Sequence, residues 1–187
     1  MEYRDIFVFN KSLIFQSSTG AGFIYKHFIY EGQKSSLIIT AAHVLNMIKY
    51  KSITLVDGRI IDIRGYKQIE LSDNFKFADV GVIIARDLSD FINVFPHAIN
   101  YPDQNKDIKV VGYPQSIGGK TQIITDANLL YAKNNKVYTS FNSEYGYSGG
   151  PYINSDGEIF AVHHGKFRNS IRKGYLITEY IDYLDSI

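Results

Sequence analysis

Cysteine is absent from the 187-residue chain. That absence excludes disulfides, thiolate nucleophiles and cysteine-ligated zinc or iron–sulfur centres together. Any covalent nucleophile must be a serine, threonine, lysine or carboxylate. An excess of one charge sign is missing too. With 20 Lys and Arg against 19 Asp and Glu, the formal net charge is +1, too little to hold a polyanion, so nucleic acid is not an expected partner. Long hydrophobic runs are also lacking. The most apolar short run, Val80-Gly81-Val82-Ile83-Ile84-Ala85, is far below the roughly 20 residues of a membrane helix, and no membrane is expected. The opening Met1-Glu2-Tyr3-Arg4-Asp5-Ile6-Phe7-Val8-Phe9-Asn10-Lys11 alternates charges with short apolar pieces. It offers no secretory core of about 7–15 apolar residues. The expectation is a soluble, cytoplasmic chain.

What is present is bulk for strands. Hydrophobic residues make up 45% and aromatics 14%, with 15 Tyr and 12 Phe, enough for one sizeable core or two small ones sharing an interface. β-rich segments separated by Gly, Asn, Asp and Ser predict strands at 22–30, 36–40, 52–56, 60–66, 80–85, 109–112, 121–132, 136–141, 152–154 and 158–164. Turn signals such as Asp57-Gly58 and Asn154-Ser155-Asp156-Gly157 fall between them. Many short strands at this spacing suggest barrels or a sandwich. The pattern lapses around 87–107, where Pro96 and Pro102 mark a connector. Over 176–187, Leu176, Ile177, Tyr180, Ile181 and Leu184 recur at helical spacing, which predicts a short terminal helix.

The sharpest local feature is Gly146-Tyr147-Ser148-Gly149-Gly150-Pro151. Glycines around a serine let the backbone turn tightly, so that amide N–H groups converge beside the hydroxyl, where an acyl-transfer oxyanion would form. A serine needs a base, and the base needs an orienting group. His43 follows an apolar strand and two small residues in Thr40-Ala41-Ala42-His43, which lets an imidazole sit in a cleft. Asp79, in Phe77-Ala78-Asp79-Val80-Gly81-Val82, precedes a strand apolar on both faces. A carboxylate partly buried there needs a donor such as an imidazole N–H.

These three motifs, in the order His, Asp, Ser, resemble the trypsin-like serine proteases of the chymotrypsin fold. Gly20-Ala21-Gly22-Phe23-Ile24 and Val111-Gly112-Tyr113-Pro114 are similar to its early barrel strands, so the likeness covers about 18–167. It implies an all-β architecture of two six-stranded antiparallel β-barrels with a short C-terminal α-helix. The barrels are expected at 1–90, carrying His43 and Asp79, and at 108–173, carrying Ser148, with a connector at 91–107 and the helix at 174–187. By the same resemblance, the N–H groups of Gly146 and Ser148 form the oxyanion hole. Tyr147 stands where secreted digestive members carry an Asp that pairs with a newly cut N-terminus, so that activation is not expected. Bacterial glutamyl endopeptidases also lack that Asp. Ser143 and His163 match the positions such enzymes use to bind a P1 glutamate, with Gly165 beside them in the substrate site.

A hydroxyl and an imidazole can both donate to a side-chain carboxylate or carbonyl. Cleavage after Glu is therefore the expectation, with Gln or Asp weaker. The stretch Lys166, Arg168, Arg172 and Lys173 adds positive potential or forms a solvated hairpin. His163 and His164 are adjacent in a strand, so they face opposite sides and at most one lines the pocket; position favours His163. His27 and His97 are expected to be surface or structural residues. No cofactor and no metal are implied, the partner is a protein or peptide substrate, and the missing zymogen switch leaves room for a regulatory protein partner. High Ile, Asn, Lys and Tyr usage suggests an AT-rich, bacterial source.

Competing readings are weaker. Gly146-Tyr147-Ser148-Gly149-Gly150 also satisfies the α/β-hydrolase elbow, but Pro151 blocks the helix that must follow, and the acid and histidine stand upstream instead of downstream. Metal-dependent hydrolysis is weaker because His163-His164 lacks the helical His-x-x-x-His spacing and a nearby acidic partner. A catalytically silent protease-fold module that binds peptides or partners is the remaining alternative.

Overall fold

Segments rich in Ile, Val, Tyr and Phe pair side by side because each buries one or both pleated faces only against neighbours. A computed structural model describes residues 6–10, 19–45, 52–55, 58–63, 69–73, 76–89, 96–98, 100–104 and 106–187. The strands of the first half are β1 (Ile6–Asn10), β2 (Thr19–Tyr30), β3 (Gln33–Thr40), β4 (Ser52–Thr54), β5 (Ile60–Asp62), β6 (Ile69–Asp73) and β7 (Lys76–Arg86), with one turn of helix, α1 (Ala42–Leu45), after β3. Those of the second half are β8 (Asp107–Gly112), β9 (Ile123–Lys133), β10 (Lys136–Ser140), β11 (Pro151–Ile153), β12 (Ile159–Arg168) and β13 (Ile171–Leu176). The chain closes with α2 (Ile181–Ser186).

Two six-stranded barrels are the sequence expectation, and the described residues show one closed barrel. The second half is a closed barrel in the order β10-β13-β12-β11-β8-β9. The first half is a seven-stranded sheet in the order β5-β4-β1-β2-β3-β7-β6. The count differs because β1 pairs with both β2 and β4, inserting a strand that the charge-interrupted N-terminal sequence does not advertise. The outer strands β5 and β6 are linked through residues 64–68. Those residues, with Val56 and Asp57 of the predicted strand and turn and much of the predicted connector, lie outside the described residues.

One apolar cluster joins Phe23, Leu37, Ile39, Val80 and Ile83 of the first half to Val111, Tyr113, Val162 and Ile177 of the second. A second cluster, including Val110, Leu129, Val137, Tyr152 and Phe160, fills the barrel. The terminal helix is shorter than its pattern predicts. The Leu176 and Ile177 amides donate to the carbonyls of Asn135 (2.9 Å) and Phe160 (3.0 Å), which holds these residues extended. A 3-10 turn at Thr178–Tyr180 then leads into α2. Helix α2 docks back on β2: the Tyr25 hydroxyl donates to Asp185 Oδ1 (2.8 Å) and Lys26 Nζ to the Asp185 carbonyl (3.0 Å). His97 stacks on Tyr25 with ring centroids 4.4 Å apart, and His27 shares a hydrogen bond with Ser36, so both are structural in their surroundings. Among the described residues no helix is long and apolar enough to cross a membrane.

Leu184 of α2 is fully buried, whereas Tyr183 beside it is 41% exposed. Leu184→Ala is expected to cost about 2–5 kcal/mol in denaturant titration, and Tyr183→Ala within about 0.5 kcal/mol. Equal losses would mean that α2 does not anchor as described.

Candidate active site

The small residues around His43 exist because α1 lies directly on β7. A Cβ added at Gly81, which pairs with Thr40, would come within 2.5 Å of Leu45 Cδ1 and 3.2 Å of the Ala42 Cα. The missing side chain at Gly81 leaves room for Leu45 and for the close approach of α1, which carries His43 over Asp79. The Asp79 carboxylate then accepts the His43 backbone N–H at Oδ1 (2.9 Å) and the His43 Nδ1–H at Oδ2 (2.6 Å). The ring of His43 is 43% exposed and the Asp79 side chain 12%.

Oδ2 of Asp79 receives a second imidazole. His164, from β12 of the barrel, donates its Nδ1–H to the same oxygen, with its ring edge-on to that of His43 (centroids 5.6 Å). Burial alone would push the Asp79 carboxyl up, but the hydrogen bonds from His164 and His43 outweigh it and hold the group well below the usual carboxylate range. His43, Asp79 and His164 also bring their donor atoms within 4.8 Å of one another, close enough to hold a divalent cation. Two N–H donors sharing one carboxylate account for that convergence without one.

Ser148 sits on a loop clamped from both sides. Its carbonyl accepts the Ala21 N–H (2.8 Å), the Gly149 N–H donates to the His163 carbonyl (2.9 Å), and the His163 N–H donates to the Gly150 carbonyl (2.8 Å). Gly149 has φ +84°, and a Cβ there would lie 2.1 Å from the Ala21 carbonyl oxygen and 2.3 Å from Thr40 Oγ1. A side chain at this position would push the serine away from the strand ends that carry His43. The Ser148 hydroxyl donates to the His164 carbonyl (3.3 Å) and makes no hydrogen bond to His43. The N–H groups of Gly146 and Ser148 donate to no other group among the described residues. Tyr147 between them is buried, its hydroxyl sharing a hydrogen bond with Thr125 Oγ1 (2.8 Å).

His163 points into the barrel, opposite to His164, as the alternation of β12 demands. Its ring packs edge-on against Phe141 (centroids 5.2 Å), and its Nδ1 meets the Tyr152 hydroxyl at 2.8 Å. Thr139 Oγ1 donates to the same hydroxyl (3.4 Å). With the Tyr152 hydroxyl donating to His163 Nδ1, the neutral ring carries its proton on Nε2. Burial, reinforced by His164, His43 and Arg172, pushes His163 down to about 3, so the ring is neutral at physiological pH. Ser143 Oγ accepts a hydrogen bond from Arg172 Nε (2.6 Å), and a Cβ at Gly165 would meet only open space. Of the basic stretch, Lys166 and Arg168 are exposed and Arg172 is buried.

No protein-family model matches the chain, and no curated protein matches it. Solved structures do. A serine endoprotease from Yersinia pestis superposes with a TM-score of 0.72 at 22% identity, over 98% of this chain and 62% of that one. An HtrA-type protease, AlgW, solved with a tripeptide, gives 0.74 at 16% identity over 99% and 60%. The chain thus has the trypsin-like serine-protease fold and spans about three-fifths of the length of each of these proteins.

The neutral state of His163 has a stability consequence. Its proton affinity is lower in the folded chain (about 3) than in the unfolded one (6.5). The unfolded state therefore binds more protons between these values, and stability is lost as pH falls through that window. The loss is expected to approach about 1.4 kcal/mol per pH unit at its steepest. Denaturant titrations from pH 7 to pH 4 should show this slope in the wild type and a clearly shallower one in His163→Gln; equal slopes would mean that His163 is not buried neutral.

Proposed function

We propose that this chain is a serine endopeptidase that hydrolyses peptide bonds through His43, Asp79 and Ser148 and prefers Glu at P1, with Gln or Asp weaker. The observation that carries it is the double grip of Asp79 on the backbone and ring N–H of His43, beside a serine whose loop fits only with glycine at 149. The fold shared with serine endoproteases supports the same reading, and AlgW was solved with a tripeptide.

In this mechanism His43 Nε2 takes the Ser148 proton as Oγ attacks the scissile carbonyl carbon. The N–H groups of Gly146 and Ser148 donate to the oxyanion, and Asp79 stabilises the imidazolium. The imidazolium gives its proton to the departing amine, and water repeats the sequence in reverse to release the acyl group. His164 braces Asp79 from the barrel side, so that the carboxylate keeps its orientation when the His43 ring moves. For P1, the Nε2–H of His163 and the hydroxyl of Ser143 are the two donors, with Gly165 leaving room for the side chain. Tyr147, packed into the barrel, offers no acid for a cleaved N-terminus, and restraint by a cytoplasmic protein partner belongs to this reading.

A fluorophosphonate probe should label the folded wild type and leave Ser148→Ala unlabelled. In peptide libraries the serine-dependent cuts should cluster after Glu, and Ser148→Ala should lower kcat by about 10⁶-fold. A folded, unlabelled wild type would overturn the enzyme reading in favour of a silent binding module, and equal cleavage after Lys or Phe would overturn the P1 assignment.

A further inference from the structure

Arg172 is the buried cation of the barrel, 8% exposed. It lies on β13 opposite Thr139 of β10 and Lys166 of β12, two residues before Gly174, which is opposite His163. Strand alternation therefore turns Arg172 and Gly174 to the same inner face. The partners of its guanidinium are all neutral: Ser143 Oγ at 2.6 Å from Nε, and the carbonyls of Asn169 (2.7 Å) and Ile171 (3.3 Å) from Nη1. Among the described residues no carboxylate pairs with it. The residue facing it across β12 is another cation, Lys166.

Buried charges are normally paired, because taking an ion out of water without a counter-ion is costly. A buried guanidinium with neutral partners only, in contact with the hydroxyl of half-buried Ser143, is a charge awaiting an anion. Because Ser143 Oγ accepts from Arg172, its own proton is free to be donated outward, and the bond from a cation makes it a stronger donor. His163 cannot supply the charge, since it is neutral where the enzyme works. Two neutral donors alone would serve a glutamine amide as readily as a glutamate carboxylate.

We propose that Arg172, placed behind Ser143, supplies the positive charge that selects an acidic P1 side chain over its neutral isostere. It acts through the Ser143 hydroxyl and is a specificity-positioning residue. The proposal rests on the serine-protease reading above.

The test compares two peptides identical except for Glu or Gln at P1. The wild type should favour Glu in kcat/KM, and Arg172→Met should lower the Glu-to-Gln ratio by about 10- to 100-fold, through loss on the Glu peptide with the Gln peptide changed only a few-fold. Arg172→Lys should retain a preference for Glu. Fluorophosphonate labelling checks that each variant still presents an intact site. A labelled Arg172→Met with an unchanged ratio would overturn the proposal while leaving the protease reading intact, whereas an unlabelled, inactive wild type would overturn both. A second readout uses the wild type alone. Because a guanidinium stays charged in this range, the Glu-to-Gln ratio should be flat from pH 8 to pH 5.5, since effects common to both peptides cancel in the ratio. A ratio that rises on acidification through the ordinary histidine range would assign the charge to His163 and overturn the role of Arg172.

Discussion

The carboxylate of Asp79 takes three N–H donors, two from His43 and one from His164, and these bonds bridge opposite halves of the molecule. His43 and Asp79 come from the sheet, through α1 and β7, and His164 comes from β12 of the barrel. A carboxylate this far from water is tolerated only when its oxygens are occupied by donors. Filling them requires the two halves to meet in one arrangement. The Ala21 to Ser148 backbone bond and the contact of Gly149 with Ala21 and Thr40 fix the same junction from the serine side. The positions of Ser148 and of the His43 ring are thus consequences of one interface.

The two neighbouring histidines of β12 divide the chemistry by burial. His164 faces the cleft and a carboxylate, while His163 faces an aromatic interior of Phe141, Tyr147 and Tyr152. The same imidazole group serves as a brace on an anion in one direction and as a buried neutral ring in the other. The buried guanidinium of Arg172 lies on the same barrel, behind Ser143.

Much of this was legible in the residues. The motifs around His43, Asp79 and Ser148 could be read because each carries its own local reason, small residues beside a ring or glycines beside a hydroxyl; the structure joins His43 to Asp79 and sets the Ser148 hydroxyl on the His164 carbonyl. The strands β1, β6 and β13 could not be read as such: β1 is short and flanked by charges, β6 is polar, and β13 carries Gly174 among basic residues. Their pairing is set by long-range register, and among the described residues the first half is a seven-stranded sheet. The early end of the terminal helix was misread because hydrogen bonds to Asn135 and Phe160 override its apolar spacing. His164 was visible only as one of two adjacent histidines, since alternation says that they face opposite ways but not which way each faces. Arg172 hid among Lys166, Arg168 and Lys173, which have the same composition but lie nearer solvent.

The most direct test of this arrangement is the low-field proton spectrum of the folded chain, in which imidazole N–H protons held by a carboxylate exchange slowly and stand apart. Two such resonances are expected, both lost in Asp79→Asn and one lost in His164→Ala with the His43 resonance remaining. A single resonance untouched by His164→Ala, or resonances that persist in Asp79→Asn, would contradict a site organised around one shared carboxylate.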